Sequence, residues 1–192
     1  MKIAIILFEG NDNMKIMIAS DIHGSKYYAG EMLKIFHQEK ADKLVLLGDL
    51  YSSSFRHFDE EADDIKMSLP EMLSTVRDRL LVIKGNCDSS MDEMLSPFPM
   101  LDIATMEVGD NTVCFTHGHK YNISNVPPNF GDMLIYGHLH QGFIIKEDGK
   151  IFANPGSISC PRNGSAHSYL ILTEEKIMLK DIEGNIISEK NY

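Results

Sequence analysis

Five short apolar runs restrict the folds open to this 192-residue chain, because each ends abruptly in a polar cluster that holds a potential metal ligand. "KIMIAS" leads into Asp21-Ile22-His23, "KLVLLG" into Asp49 and "LLVIKG" into Asn86. "TVCFT" leads into His117, and "MLIYG" into His138-Leu139-His140. Short runs rich in Ile, Val and Leu and bounded by glycine or polar residues read as buried strands. The fold must therefore bury several strands and bring their ligand-bearing ends to a common place.

The segments between the first three runs have helical spacing. After Ser25, the residues Ala29, Met32, Leu33 and Phe36 form one apolar face. After Ser68, Leu69, Met72, Leu73 and Val76 repeat it, with Glu71 placed as a capping-box partner and Pro70 tolerated in the first turn. Strand and helix alternating in this way predict parallel strands with right-handed crossovers, whose carboxyl ends open on one crevice. In the second half, "GFIIKEDGKIFA" has the form of a hairpin turning at Asp148-Gly149. "SYLILTEEKIMLKDIEGNIIS" continues with short strands, which predicts a largely antiparallel second sheet packed on the first. The only long polar insertion runs from Ser52 to Asp64; it follows a ligand-bearing strand and is expected to overhang the crevice.

Composition narrows the partners. The formal net charge is −10 and the pI about 5.2, a balance that disfavours nucleic acid, whose phosphates need lysine and arginine. A small phosphorylated substrate stays open, since bound cations can reverse the local potential. Three cysteines with no CxxC pair predict a reducing compartment rather than a disulfide framework. No apolar run approaches the roughly 18 residues of a membrane span. The leading "MKIAIILFEGNDN" has too short an apolar stretch for a signal peptide. A cytoplasmic location away from membranes is the expectation.

Taken singly, each candidate ligand is weak. His37 and His167 read as structural or merely exposed, and an Asp after a strand is usually a cap or turn residue. Jointly, Asp21, His23, Asp49, Asn86, His117, His138 and His140 all stand at strand ends expected to converge. In extended backbone, residues i and i+2 point to one side, so Asp21 and His23 can grip one ion together. His138 and His140 have the same spacing and can serve one ion each. Asp49 can bridge through its two oxygens, and Asn86 offers a neutral one. Imidazole and oxygen donors without thiolate suit Mn, Fe, Co, Ni or Zn in a catalytic site rather than structural zinc.

The series "SDIHG", "LLGDL", "KGNCD", "FTHGH" and "YGHLH" resembles the calcineurin-like metallophosphoesterases, and "GNCD" with "NPGSIS" resembles the small YfcE-like phosphodiesterases among them. The resemblance implies a four-layer α-β-β-α sandwich, two mixed β-sheets flanked by helices, in a single domain over residues 14–192. It also implies two divalent ions, commonly manganese. Asp21, His23, Asp49 and His140 would bind the first, and Asp49, Asn86, His117 and His138 the second. The implied activity is hydrolysis of small phosphodiesters by a metal-activated water. A phosphomonoesterase with the same site, or a non-catalytic scaffold of the same fold, is the alternative, and a homo-oligomer is compatible with either. His119 and Asp88 are candidates to orient the ligands. Many members of the superfamily have a histidine after the motif asparagine, so Cys87 occupies the place of a missing general acid. Arg56 and His57 in the polar insertion, and Arg162 beyond "NPGSIS", are candidate substrate contacts. "MKIAII" at residue 1 is echoed by "MKIMIA" at residue 14, where the resemblance begins; residues 1–13 are expected to be a dispensable extension.

Overall fold

A computed structural model describes residues 2–6, 14–51 and 66–192. Its first sheet is built as predicted from alternating strands and helices: β2 (Ile16–Ala19), α1 (Lys26–Gln38), β3 (Lys43–Leu46), α2 (Leu69–Ser74) and β4 (Leu80–Val82). β2, β3 and β4 are parallel neighbours. Ser25 caps α1 by accepting the Tyr28 N–H at 3.2 Å, and Glu71 accepts the Ser68 N–H at 2.7 Å to close the capping box of α2.

Each strand of this sheet alternates between two apolar environments. Met17, Ala19, Leu44 and Leu46 face Ala29, Met32 and Phe36 of α1 and Leu69 and Leu73 of α2. Ile16, Ile18, Val45 and Leu47 turn the other way, into the layer between the sheets. This is the period of two expected for strands buried on both faces.

The second sheet comprises β1 (Ile3–Ile6), β5 (Ile103–Val108), β6 (Asn111–Thr116), β7 (Met133–Tyr136), β8 (Gly142–Glu147) and β9 (Lys150–Pro155), in the order β1-β5-β6-β7-β9-β8. Val113, Phe115, Met133, Ile135, Ile151 and Ala153 meet the first sheet. On its outer face, Cys114, Leu134, Tyr136 and Phe152 are covered by Tyr121, Ile123 and Phe130 from the segment after β6. The β8–β9 hairpin forms as predicted, with Asp148 (φ 50°) and Gly149 (φ 78°) as its two turn residues.

Two expectations need correction. The second sheet is mixed rather than largely antiparallel: β6–β7 and β7–β9 are parallel, because the 117–132 segment and the β8 excursion each carry the chain back to the starting edge. The last three strands, β10 (Ser168–Leu172), β11 (Lys176–Asp181) and β12 (Ile186–Asn191), extend the first sheet instead, with β10 antiparallel to β2. Leu170 and Leu172 thereby fill the layer between the sheets while Tyr169 and Ile171 face the helices. Of residues 1–13, Ile3–Ile6 form β1, an edge strand parallel to β5, and Lys2 pairs with Glu93 of α3 (Ser90–Leu95).

Candidate metal centre

Three side chains meet at the carboxyl end of the first sheet. The Nε2 atoms of His23 and His140 stand 3.2 Å apart, and Asp21 Oδ1 lies 3.2 Å from His140 Nε2 and 3.8 Å from His23 Nε2. A second group adjoins it. Asp49 Oδ2 is 3.4 Å from His117 Nε2, Asn86 Oδ1 is 3.0 Å from the same nitrogen, and the His138 ring centroid is 5.1 Å from that of His117. Asp49 Oδ2 is also 3.9 Å from His23 Nε2, so it lies between the groups. All seven residues expected to converge do so.

Convergence does not come from extended backbone, and that part of the expectation is corrected. Asp21, His23, Asp49, His138 and His140 have φ of 57°, 48°, 54°, 69° and 59°. A positive φ is uncommon outside glycine, and such strain clusters at functional sites. β2, β3 and β7 each end in a left-handed turn at their candidate ligands, whereas Asn86 and His117 keep negative φ. Neighbouring glycines make room: a Cβ on Gly137 would stand 2.0 Å from Ser20 Oγ.

Backbone carbonyls set the histidine tautomers. His117 Nδ1 donates to Leu47 O and His140 Nδ1 to Cys160 O, both at 2.6 Å. Each Nε2 is then a lone pair. In the neutral rings, His117 Nε2 then faces two oxygens, and His140 Nε2 a carboxylate oxygen and another imidazole, without a proton to donate. Asp21 Oδ1 is buried and has no hydrogen-bond partner. Lone pairs gathered at such distances fit a cation: metal–ligand bonds of about 2.0–2.2 Å put neighbouring donors roughly 3.0–3.4 Å apart. Burial pulls the imidazoles of His117 and His140 toward lower pKa, yet Asp49 beside the first and Asp21 beside the second outweigh it and hold both raised. The Asp49 carboxyl, which burial would raise, is held far below its usual range by His117 and Cys87. Burial and the charge of His117 lower His138 and His119.

Asp88 acts on backbone rather than on a histidine. Its buried carboxylate accepts the N–H groups of Asp49, Leu50 and Gly85, each at 2.8 Å, and ties the β3 and β4 loops together. Burial raises its pKa. His119 is exposed at the rim, its ring 5.4 Å from His117 and 6.3 Å from His138. Arg162 is exposed beyond His140, whose carbonyl accepts the Arg162 N–H at 3.0 Å. Arg56 and His57 lie outside the described residues. Cys87 is half-buried beside Asn86, and its N–H donates to Asp49 Oδ1 at 2.8 Å. His167, read as structural, stacks on Tyr28 and bonds Ile158 O through Nδ1 at 3.0 Å.

"NPGSIS" supplies a layer that ligand spacing does not reveal. Ser157 Oγ and Ser159 Oγ donate to Asp21 O at 2.7 and 2.9 Å, and Asn154 Nδ2 donates to Gly137 O at 2.7 Å. These bonds brace the loops of Asp21 and His138 from beneath. The motif itself was the signal, a run of small polar residues that the structure buries.

Comparison with known proteins agrees with this geometry. The model of the calcineurin-like phosphoesterase superfamily domain matches residues 14–176. Phosphodiesterase YfcE of Escherichia coli K12 is 37% identical over 165 residues, spanning 84% of this chain and 89% of that protein. The probable metallophosphoesterase YsnB of Bacillus subtilis is 27% identical over 188 residues, spanning 92% and 96%. The solved structure of the E. coli phosphoesterase YfcE superposes with a TM-score of 0.82 at 30% identity, covering 93% of this chain and 99% of that one.

Proposed function

This chain belongs to the calcineurin-like phosphoesterase superfamily and, within it, is YfcE-like; from that premise we propose a metal-dependent phosphodiesterase that hydrolyses small phosphodiesters at a dinuclear centre. The observation that carries the proposal is the set of converging lone pairs with two tautomers fixed by backbone carbonyls. Asp21, His23, Asp49 and His140 would hold one divalent ion, and Asp49, Asn86, His117 and His138 the other. When bound, the pair supplies Lewis acidity, polarising a phosphoryl oxygen and acidifying water. Manganese is the metal we propose, and the cytoplasm the location. Among the described residues no helix is long and apolar enough to cross a membrane.

The chain's own residues arrange this chemistry. Asp49 has one oxygen occupied by the Cys87 N–H and turns the other toward His23 and His117, so Oδ2 would serve the ions in place of the two oxygens expected of the bridge. Asp21 is likewise divided: Oδ2 accepts the His138 N–H at 3.0 Å and Oδ1 remains for the ion. Leu47 O and Cys160 O hold the imidazole protons on the far nitrogens, as orienting partners of ligand histidines do. Asp88 holds Asp49 and Gly85 in register by their backbone N–H groups. Arg56, His57 and Arg162 are proposed to contact the substrate phosphate.

The test is to load the full chain with manganese, count bound ions by mass spectrometry and assay a panel of phosphodiesters and phosphomonoesters. We expect two ions per chain and diester hydrolysis that is abolished by chelation and restored by manganese. Turnover of monoesters alone would assign the site to a phosphomonoesterase. Ion binding without turnover of either class would make the protein a non-catalytic scaffold.

A further inference from the structure

Among the described residues, donors in the crevice form three groups, not two. Asp21, His23 and His140 make one, Asp49, His117 and His138 another, and between them His23, Asp49 and Cys87 have ligand atoms all within 4.8 Å of one another. The third group shares His23 with the first and Asp49 with the second. It adds the one donor type that the other two lack, a thiol.

Cys87 is held in this place by its neighbours. Its N–H donates to Asp49 Oδ1 at 2.8 Å, its side chain hydrogen-bonds the same carboxylate, and Asn86 Nδ2 donates to its Sγ at 3.2 Å. The residue is half-buried, so an ion reaches the sulfur from the open side of the crevice. Metal–sulfur and metal–nitrogen bonds of about 2.3 and 2.0 Å put such donors roughly 3.5 Å apart, so side-chain rotations closing the gap by little more than about 1 Å complete the set. Sulfur selects for soft and borderline ions, whereas manganese and magnesium prefer oxygen.

We propose that His23, Asp49 and Cys87 form a third, thiolate-containing metal locus that captures a thiophilic divalent ion of the zinc and cadmium class. Binding replaces the thiol proton, which leaves to solvent, by a sulfur–metal bond, with no change of oxidation state. Because His23 and Asp49 also serve the two outer groups, the locus cannot fill while both of those keep their full ligand sets. A thiophilic ion there displaces the working pair, so the locus is inhibitory. That consequence rests on the dinuclear reading; the locus itself does not.

The experiment titrates the metal-free full chain with cadmium alone and follows the sulfur-to-metal charge-transfer absorption in the ultraviolet. Wild type and Cys160→Ser should develop the band and saturate at one thiolate per chain. Cys87→Ser should not develop it, although it melts as wild type does. His23→Gln should raise the cadmium concentration at half-saturation about tenfold or more, since one of three ligands is lost. A band that persists in Cys87→Ser, an absent band in wild type, or a titration unmoved in His23→Gln overturns the locus. In a second arm, cadmium is added to manganese-loaded enzyme, and Cys87→Ser should need at least about tenfold more for half-inhibition. Equal sensitivity would overturn the inhibitory role. Fewer than two manganese ions per chain with the thiolate band intact would break the dinuclear reading and leave the locus standing.

Discussion

Gly85→Ala places a methyl group where no space exists. A Cβ at this position lies 2.0 Å from Asp49 Oδ1 and 2.3 Å from Asp49 N, whereas real Cβ atoms essentially never come within 3.0 Å of a neighbour. The β3 and β4 loops must part by about 1 Å merely to reach that limit. The bond from Cys87 N–H to Asp49 Oδ1, now 2.8 Å, does not survive that movement. Losing one hydrogen bond to a charged group costs about 1.5–3 kcal/mol, and forcing a methyl into a filled site adds about 1–3 kcal/mol. A loss of about 2.5–6 kcal/mol is a large part of the roughly 5–15 kcal/mol that holds a domain together. The same displacement moves the shared carboxylate, and a 1 Å error in such a group costs on the order of 10²-fold in rate. Thermal unfolding, ion counting and diester turnover should all register the change. Gly30→Ala is the control: its Cβ meets only Met72 Cε, at 3.6 Å, on helix α1, and should stabilise by about 0.5–1 kcal/mol. Wild-type melting, ion content and turnover in Gly85→Ala would refute the reasoning.

Asp49→Asn should abolish diester hydrolysis and leave at most one ion per chain by mass spectrometry; two retained ions with wild-type turnover would exclude the bridge. A chain starting at Met14 loses, among the described residues, the edge strand β1 and the contacts of Lys2, and should still fold and bind metal, with loss of solubility the contrary outcome. Hydrolysis should depend steeply on leaving-group pKa, aryl diesters far outpacing alkyl ones, since a positioned acid contributes roughly 10²–10⁴-fold; equal rates on both would mean that a proton donor is already in place. Burial would raise the Glu39 carboxyl, yet Lys180 and the Tyr169 hydroxyl (2.9 Å) hold it low. Its contribution to stability is therefore present above the unfolded value of about 4.3 and lost as pH falls through the folded one. The destabilisation of Glu39→Gln in urea should shrink between pH 7 and pH 3, and a gap that widens toward acid would contradict this.

Much of the fold was legible because local chemistry carries it. Alternation along "KIMIA" and "KLVLL" marks strands buried on both faces, and Ser25 and Ser68 start helices whose apolar faces are written at helical spacing. Asp148-Gly149 predicts its hairpin because few pairs tolerate two positive φ values. The seven candidate ligands were legible too, since donor atoms on side chains are named by the sequence itself.

What the tertiary structure alone decided is carried by groups that every residue shares or by partners far along the chain. The carbonyls of Leu47 and Cys160 choose the tautomers of His117 and His140, and a backbone carbonyl leaves no mark on residue type. β10 lies beside β2 although some 150 residues separate them, and nothing in its local residue pattern names that partner; long-range register settles the choice. The left-handed turns at five of the ligands reverse the geometry that extended strands would impose. Spacing therefore identified the candidate ligands, while the way their side chains converge, and the arrival of Cys87 between His23 and Asp49, came from packing two sheets face to face.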